Sequence, residues 1–275
     1  MNECKVIAIA NEKGGVGKTT TAVQLGIGLV RDDYKVLLID ADPQGSLTIS
    51  LGITNPDEID ISLATLMHFA MEDRETREVT GIIKHSEGVD FIPSNIELSG
   101  IETSLVNMMS REYVLSDVIQ NLKPAYDYIL IDCMPSLGMM TINAMACADS
   151  LIIPTQPNYL AAKGLDLLLG IVGKVKRNIN PELKIDGILF TMVDSRTNNA
   201  KDVIAALKRD LGENIRFFDS MIPHSVRAAE CSLNGISIYS YDRAGKLAMA
   251  YERFTKEVEN IEERTNDRSW DDWVR

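Results

Sequence analysis

Short unbroken apolar runs alternate along the chain with stretches whose apolar residues recur every three or four positions. The runs fall at 6–10, 36–39, 89–92, 128–131, 151–154, 185–192 and 217–222. Several lack the in-and-out alternation of a half-buried strand and read as strands covered on both faces of a mostly parallel sheet. Helical periodicity spans 20–31, 61–71, 97–108, 113–122, 141–146, 160–178 and 200–211, with a last helix over 246–263. Strands and helices taking turns predict an α/β doubly wound sheet flanked by helices, with ligands at the carboxyl ends of the strands. The chain shows no internal repeat, low-complexity segment or linker. It reads as a single domain over 1–263 with a short acidic tail over 264–275.

Composition narrows the class. The chain has 275 residues, 45% hydrophobic and 25% charged, which suits one large globular domain near the size at which cores begin to split. No apolar stretch approaches the ~20 residues that span a bilayer. The first strand begins within a few residues of Met1, leaving no room for a signal peptide, so a cytoplasmic protein is expected. Cys4, Cys133, Cys147 and Cys231 are far apart and form no C-x-x-C pair, the pattern of reduced thiols. His68, His85 and His224 have no metal-ligand spacing, and Ile101, Leu105, Met108 and Met109 read as core. The net charge of −12 argues against nucleic-acid binding by the molecule as a whole. Residues 174–256 nevertheless carry 14 Lys and Arg against 10 Asp and Glu, where the rest carries 14 against 30. That asymmetry suits a basic surface and mixed solvated helix faces equally.

The first strand runs into Lys13-Gly14-Gly15-Val16-Gly17-Lys18-Thr19-Thr20, and a helix follows. Strand, glycine-rich loop and helix form the context of a phosphate-binding loop. Glycines let backbone N–H groups turn toward phosphate oxygens, and the helix adds its positive end. Lys18 would neutralise the β- and γ-phosphates of ATP, or the β-phosphate of ADP, and the Thr19 hydroxyl would hold Mg²⁺. The loop departs from G-x-x-x-x-G-K-[ST]: Glu12 stands at the first glycine position, and Lys13 adds a second lysine. A second hydrated cation is redundant if Lys18 serves the phosphates. It makes sense if Lys13 reaches the nucleotide of another subunit.

Two further strands end in carboxylates. Asp40-Ala41-Asp42-Pro43-Gln44-Gly45 follows the second strand, where Mg²⁺ and water would sit, although Asp-Pro is also a common turn pair. The strand at 128–131 ends at Asp132, the pattern of a Walker B carboxylate that holds Mg²⁺ through water.

Together these segments resemble the deviant Walker A family of ParA/MinD ATPases. The likeness runs from Lys5 to about Glu263, through K-G-G-x-G-K-T, D-x-D-P-Q-G and a D-x-x-P-S-L-G switch at Asp132–Gly138 with Met134 in place of a proline. Pro154-Thr155-Gln156-Pro157 also matches. The resemblance implies that Lys13, Lys18 and Asp42 are catalytic, with Asp42 positioning the attacking water. It implies that Asp40 supports the metal alongside Thr19 and Asp132, and that residues 13–20 hold the nucleotide. Loops at 191–198 and 222–227 would border the adenine, with Pro223 against it. Arg196 and Arg227 align with arginines that bind DNA nonspecifically in the Soj-like branch, and Lys201, Lys208, Arg209 and Arg243 would widen such a patch. His224 stands where that branch commonly has another arginine.

The function implied is that of a ParA/Soj-like partition ATPase for a plasmid or chromosome. ATP and Mg²⁺ join two copies into a homodimer, with Lys13 of each closing on the other's nucleotide. The dimer binds DNA nonspecifically, associates with the nucleoid, and is released when a ParB-like centromere-binding protein stimulates an otherwise slow hydrolysis. A MinD-like membrane-cycling ATPase would need a basic amphipathic C-terminal helix, and Glu257, Glu259, Glu262, Glu263, Asp267, Asp271 and Asp272 make this end acidic. An iron–sulfur reductase would need paired cluster cysteines. A metabolic ligase such as a dethiobiotin synthetase would lack the extra loop lysine.

Overall fold

The computed structural model describes residues 4–72, 81–159, 161–194 and 196–261, and the tail expected at 264–275 lies outside them. Its strands are β1 (Lys5–Ile9), β2 (Val36–Ala41), β3 (Ile83–Lys84), β4 (Asp90–Ile92), β5 (Tyr128–Cys133), β6 (Ser150–Thr155), β7 (Lys184–Val193) and β8 (Phe217–Pro223). The helices are α1 (Lys18–Arg31), α2 (Ser46–Ser50), α3 (Leu63–Met71), α4 (Leu98–Leu105), α5 (Val114–Gln120), α6 (Met139–Cys147), α7 (Ala161–Asn178), α8 (Asn198–Leu211), α9 (Arg227–Asn234), α10 (Ile238–Tyr241) and α11 (Lys246–Glu259). One sheet joins the strands in the order β3-β4-β2-β5-β1-β6-β7-β8. Every pairing is parallel except β3 with β4.

The unbroken apolar runs become the central strands because both faces are covered. On one face Val6, Ala8, Leu37, Ile39, Ile129 and Ile131 pack under α3 to α8. On the other, Ile7, Ile9, Leu38 and Leu130 pack under α1, α10 and α11. Each Val, Leu or Ile among them, taken fully out of water, contributes about 1.5–3 kcal/mol, which makes these central strands the rigid base of the site. Asp40 on β2 and Asp132 on β5 are register partners at the carboxyl end of that base, and Ile9 of β1 flanks Asp132 on its other side.

Both edges of the sheet are blunted. β3 is two residues long. On β8 the N–H groups of Asp219 and Ser220 donate to the two carboxylate oxygens of Glu257 from α11, at 2.8 and 2.7 Å. A strand edge left bare would be a template for another chain.

Three short helices depart from the sequence pattern. Thr48 and Ile49 make α2 a poor helix former, yet it is held by tertiary contacts. On α9 only Cys231 is buried, so no apolar period announces it, and α10 is a single turn. The ends of α2 and α9 meet backbone to backbone. Gly235 is in the left-handed region at φ 62°, and a Cβ there would lie 2.5 Å from Gly52 Cα. The Met108–Met109 expectation is half corrected: Ile101 and Leu105 are buried and Met108 packs on the core, but Met109 is 89% exposed. All four cysteines are free and buried.

Candidate functional site

The phosphate loop lies at the carboxyl end of β1, between β5 and β6. Gly17 takes φ 84° and starts α1 without offering a side-chain cap, two residues before the periodicity predicts. The first-turn amides of α1 therefore have no intrahelical partner and aim at whatever sits above the loop. Gly14 and Gly15 are exposed, whereas Lys18 is only 7% exposed. Its Nζ donates to the Lys13 carbonyl at 3.3 Å. Burial pulls the Lys18 ammonium below its ordinary value, against the opposing pull of Asp132.

Distant loops shape this one. Asn11 Nδ2 donates to the Pro154 carbonyl at 2.8 Å, and its Oδ1 accepts the Lys13 N–H at 3.0 Å. Gln156 Nε2 donates to the Gly15 carbonyl at 3.1 Å, and the Thr191 hydroxyl to the Val16 carbonyl at 2.7 Å. Lys13 does not turn into the loop beside Lys18. Its Nζ donates to Asn158 Oδ1 at 3.1 Å, on the segment leaving β6. Asn158 is a partner the sequence pattern missed, because only the adjacency of β1 and β6 brings it here, whereas Thr191 opens the 191–198 loop expected to border the adenine.

The two strand-end carboxylates differ in their surroundings. Asp40 is fully buried, and its oxygens accept from the Thr48 N–H, the Thr48 hydroxyl and the Asp42 N–H at 2.8, 2.7 and 3.3 Å. Burial nonetheless raises its pKa to about 6. Asp132 is 1% exposed, and neither oxygen has a hydrogen-bond partner among the described residues. Burial first, and then the charge of Asp40, raise Asp132 well above the carboxylate range. The Thr19 hydroxyl and Lys18 pull the other way, with Thr19 outside hydrogen-bond geometry. A buried carboxylate with two bare oxygens beside a hydroxyl suits a hard cation that takes oxygen ligands. Among the described residues no group of three or more His, Cys, Asp or Glu could hold a metal by itself, so phosphate and water would complete its shell.

Asp42 is half-buried, and its Oδ1 accepts the Gln44 N–H at 2.9 Å within a turn closed by the Gly45 N–H on the Asp42 carbonyl. The switch after Asp132 is folded by the Ser136 hydroxyl, which accepts the Gly138 N–H, and by the Thr141 hydroxyl on the Ser136 carbonyl. Pro135 faces Gly14 across the loop.

A cavity of about 420 Å³ opens beside the start of α1, lined by Gly17 and Thr20 on one side and by Thr191, Met192, Pro223 and Val226 on the other. Met192 holds a positive φ of 51° there. Such a volume suits a small-molecule ring system. The structure thus places residues 13–20, Asp40, Asp42, Asp132 and Pro223 around one strand-end crevice. Arg196 and Arg227 stand on the outer rim. Arg196 is 87% exposed and binds both oxygens of Asp194 at 2.9 Å, and Arg227 pairs with Asp242.

A glycine-turned loop feeding a helix, with a bare carboxylate on the neighbouring strand of a parallel sheet, defines a P-loop nucleotide-binding protein. A family model described as an AAA domain matches residues 4–185. The sporulation initiation inhibitor protein Soj of Bacillus subtilis is 42% identical over 92% of this chain and 98% of its own length. The chromosome partitioning protein ParA of Myxococcus xanthus is 39% identical over 92% of this chain and 87% of its own. Among solved structures, a cobyrinic acid a,c-diamide synthase from Mycobacterium smegmatis with bound ATP analogue and magnesium is similar at a TM-score of 0.81 and 32% identity, covering 95% of this chain and 96% of that one. The chain belongs to the Soj/ParA family of partition ATPases. No helix among the described residues is long and apolar enough to cross a membrane.

Proposed function

We propose that the protein is a Mg²⁺-dependent ATPase switch that pairs with a second copy when ATP is bound, retains DNA nonspecifically in that state, and is released after hydrolysis. The observation that carries this reading is the division of labour between two lysines. Lys18 is buried in the loop, and Lys13 is directed away from it onto Asn158. A cation held outside its own loop is free to serve a phosphate on a facing copy.

The residues supply the rest. Residues 14–20 cradle the phosphates through backbone N–H groups, and Lys18 offsets their charge. Thr19 and Asp132 would hold Mg²⁺, which would offset the negative charge of the phosphates. Asp40, spent on Thr48 and Asp42, supports that centre from behind. The cavity at Pro223 takes the adenine. Asp42 orients the attacking water rather than taking its proton early. Turnover is therefore slow until a ParB-like partner completes the site. The γ-phosphate adds charge that the two-copy site satisfies best, so its loss releases the pair. Arg196 and Arg227 contact DNA phosphates once they leave their aspartates, the step at which the molecule joins the nucleoid.

Sedimentation with ADP and with a nonhydrolysable ATP analogue tests the reading. The native chain is expected to pair only with the analogue, and Lys13→Ala to remain monomeric and inactive. An unchanged monomer with either nucleotide, or a Lys13→Ala protein that pairs and hydrolyses like the parent, overturns it.

A further inference from the structure

Thr48 is remote from the phosphate loop in sequence, and nothing in its residue type announces a role. It stands at the centre of a buried relay. Its N–H and hydroxyl both donate to Asp40 Oδ2, at 2.8 and 2.7 Å. The same hydroxyl oxygen accepts the Ser94 N–H at 3.0 Å. The other carboxylate oxygen, Asp40 Oδ1, accepts the Asp42 N–H at 3.3 Å. Thr48, Asp40 and Ser94 are all 0% exposed. Solvent therefore has no route to replace a missing partner.

We propose that Thr48 is a positioning residue for ATP hydrolysis, acting through Asp40 on Asp42. The inference rests on the reading of Asp42 as the group that orients water. A carboxylate at a strand end rotates about two side-chain bonds. Two donors from one residue fix Oδ2, and with it the direction in which Oδ1 meets the Asp42 N–H. The Asp42 side chain is pinned on its far side by the Gln44 N–H at 2.9 Å. Backbone and carboxylate of Asp42 are thus set from opposite ends, Thr48 governing one of them. The Ser94 contact ties the same hydroxyl to the segment that leads into α4. There Glu102 lies against Gly138 of the switch, close enough that a Cβ on Gly138 would fall 2.3 Å from Glu102 Oε1. Thr48 thus ties the segment following β2 to the one leading into α4, and α4 in turn lies against the segment following β5. Misplacing a reacting group by about 1 Å costs on the order of a hundredfold in rate.

The test compares Thr48→Val, which keeps the shape and deletes the hydroxyl, with Thr48→Ser, which keeps the hydroxyl. Both are made in the full chain. Single-turnover hydrolysis of ATP and binding of a nonhydrolysable analogue are measured with Mg²⁺. Thr48→Val is expected to lower the rate at least about tenfold while analogue affinity stays within about twofold, and Thr48→Ser to restore most of the rate. In an Asp42→Asn background Thr48→Val is expected to add nothing further, since the two act in series. A melting temperature would fall under a purely structural role as well, so it does not decide. A Thr48→Val protein at the parental rate overturns the proposal. So does a loss that Thr48→Ser fails to restore, or one that adds fully to that of Asp42→Asn. If Asp42→Asn itself hydrolyses normally, the reading of Asp42 fails and the relay with it. If Asp42→Asn is crippled and Thr48→Val is not, only the relay fails.

Discussion

Asp132→Asn should make the nucleotide-free protein more stable while disabling its site. The native carboxylate is 1% exposed, has no hydrogen-bond partner on either oxygen among the described residues, and stands in register beside Asp40. Lys18 lies beyond ion-pair distance and offsets only part of that cost. Leaving such a group unsatisfied costs about 1–3 kcal/mol, and more when it is charged. Asparagine needs neither the buried charge nor the proton taken up to avoid it, and it ends the repulsion from Asp40 at nearly constant volume. A gain of about 2–3 kcal/mol corresponds to a melting temperature higher by roughly 4–12 °C for a chain of this size. With Mg²⁺ and a nonhydrolysable analogue at a hundred times the dissociation constant, the native protein gains about 2.7 kcal/mol. The variant, lacking the anionic ligand, gains little, and the order of stabilities closes or reverses. Differential scanning calorimetry with and without ligand reads both halves. A nucleotide-free variant that melts below the parent would show that Asp132 is held by a stabilising partner, and the account of a carboxylate kept bare for a cation would be wrong.

Gly235→Ala should cost about 2–5 kcal/mol, from the left-handed backbone and from a Cβ pressed on Gly52 where no side chain can yield. Gly100→Ala on α4, with nothing within 4 Å of its new Cβ, should be neutral or stabilising by about 1 kcal/mol, and thermal melts of the two give the comparison. Arg196→Ala with Arg227→Ala should weaken ATP-dependent DNA retention alike on unrelated sequences and reduce the log–log salt slope by roughly 2; undiminished retention removes both arginines from the interface. Asp242→Asn, which frees Arg227, should raise retention more than Asp202→Asn, an equal change of charge on α8, in the same filter assay.

The layered sheet was legible because its central strands are apolar without interruption, a pattern that only two-sided burial explains. The phosphate loop was legible because a strand, a glycine-rich turn and a helix in that order have few other uses, whereas Asp132 alone is a weak signal, since many buried strands end in Asp. Helix α9 was not, since it covers a cavity rather than a core and buries only Cys231. The surroundings of Asp40 and Asp132 were equally hidden. Both are aspartates ending apolar strands, and only packing decides that one is saturated by Thr48 and the other left bare. Asn158, the side-chain partner of Lys13, lies 145 residues away in sequence, and no local pattern carries such a contact.

Glu257 matters most where copies accumulate. At high local concentration an open row of amides would zip neighbouring molecules into fibres. With its carboxylate seated on Asp219 and Ser220, and with β3 too short to recruit a partner, sideways growth of the sheet has nowhere to begin. Under the function proposed above, association would use the crevice end of the strands instead, where nucleotide would make it reversible.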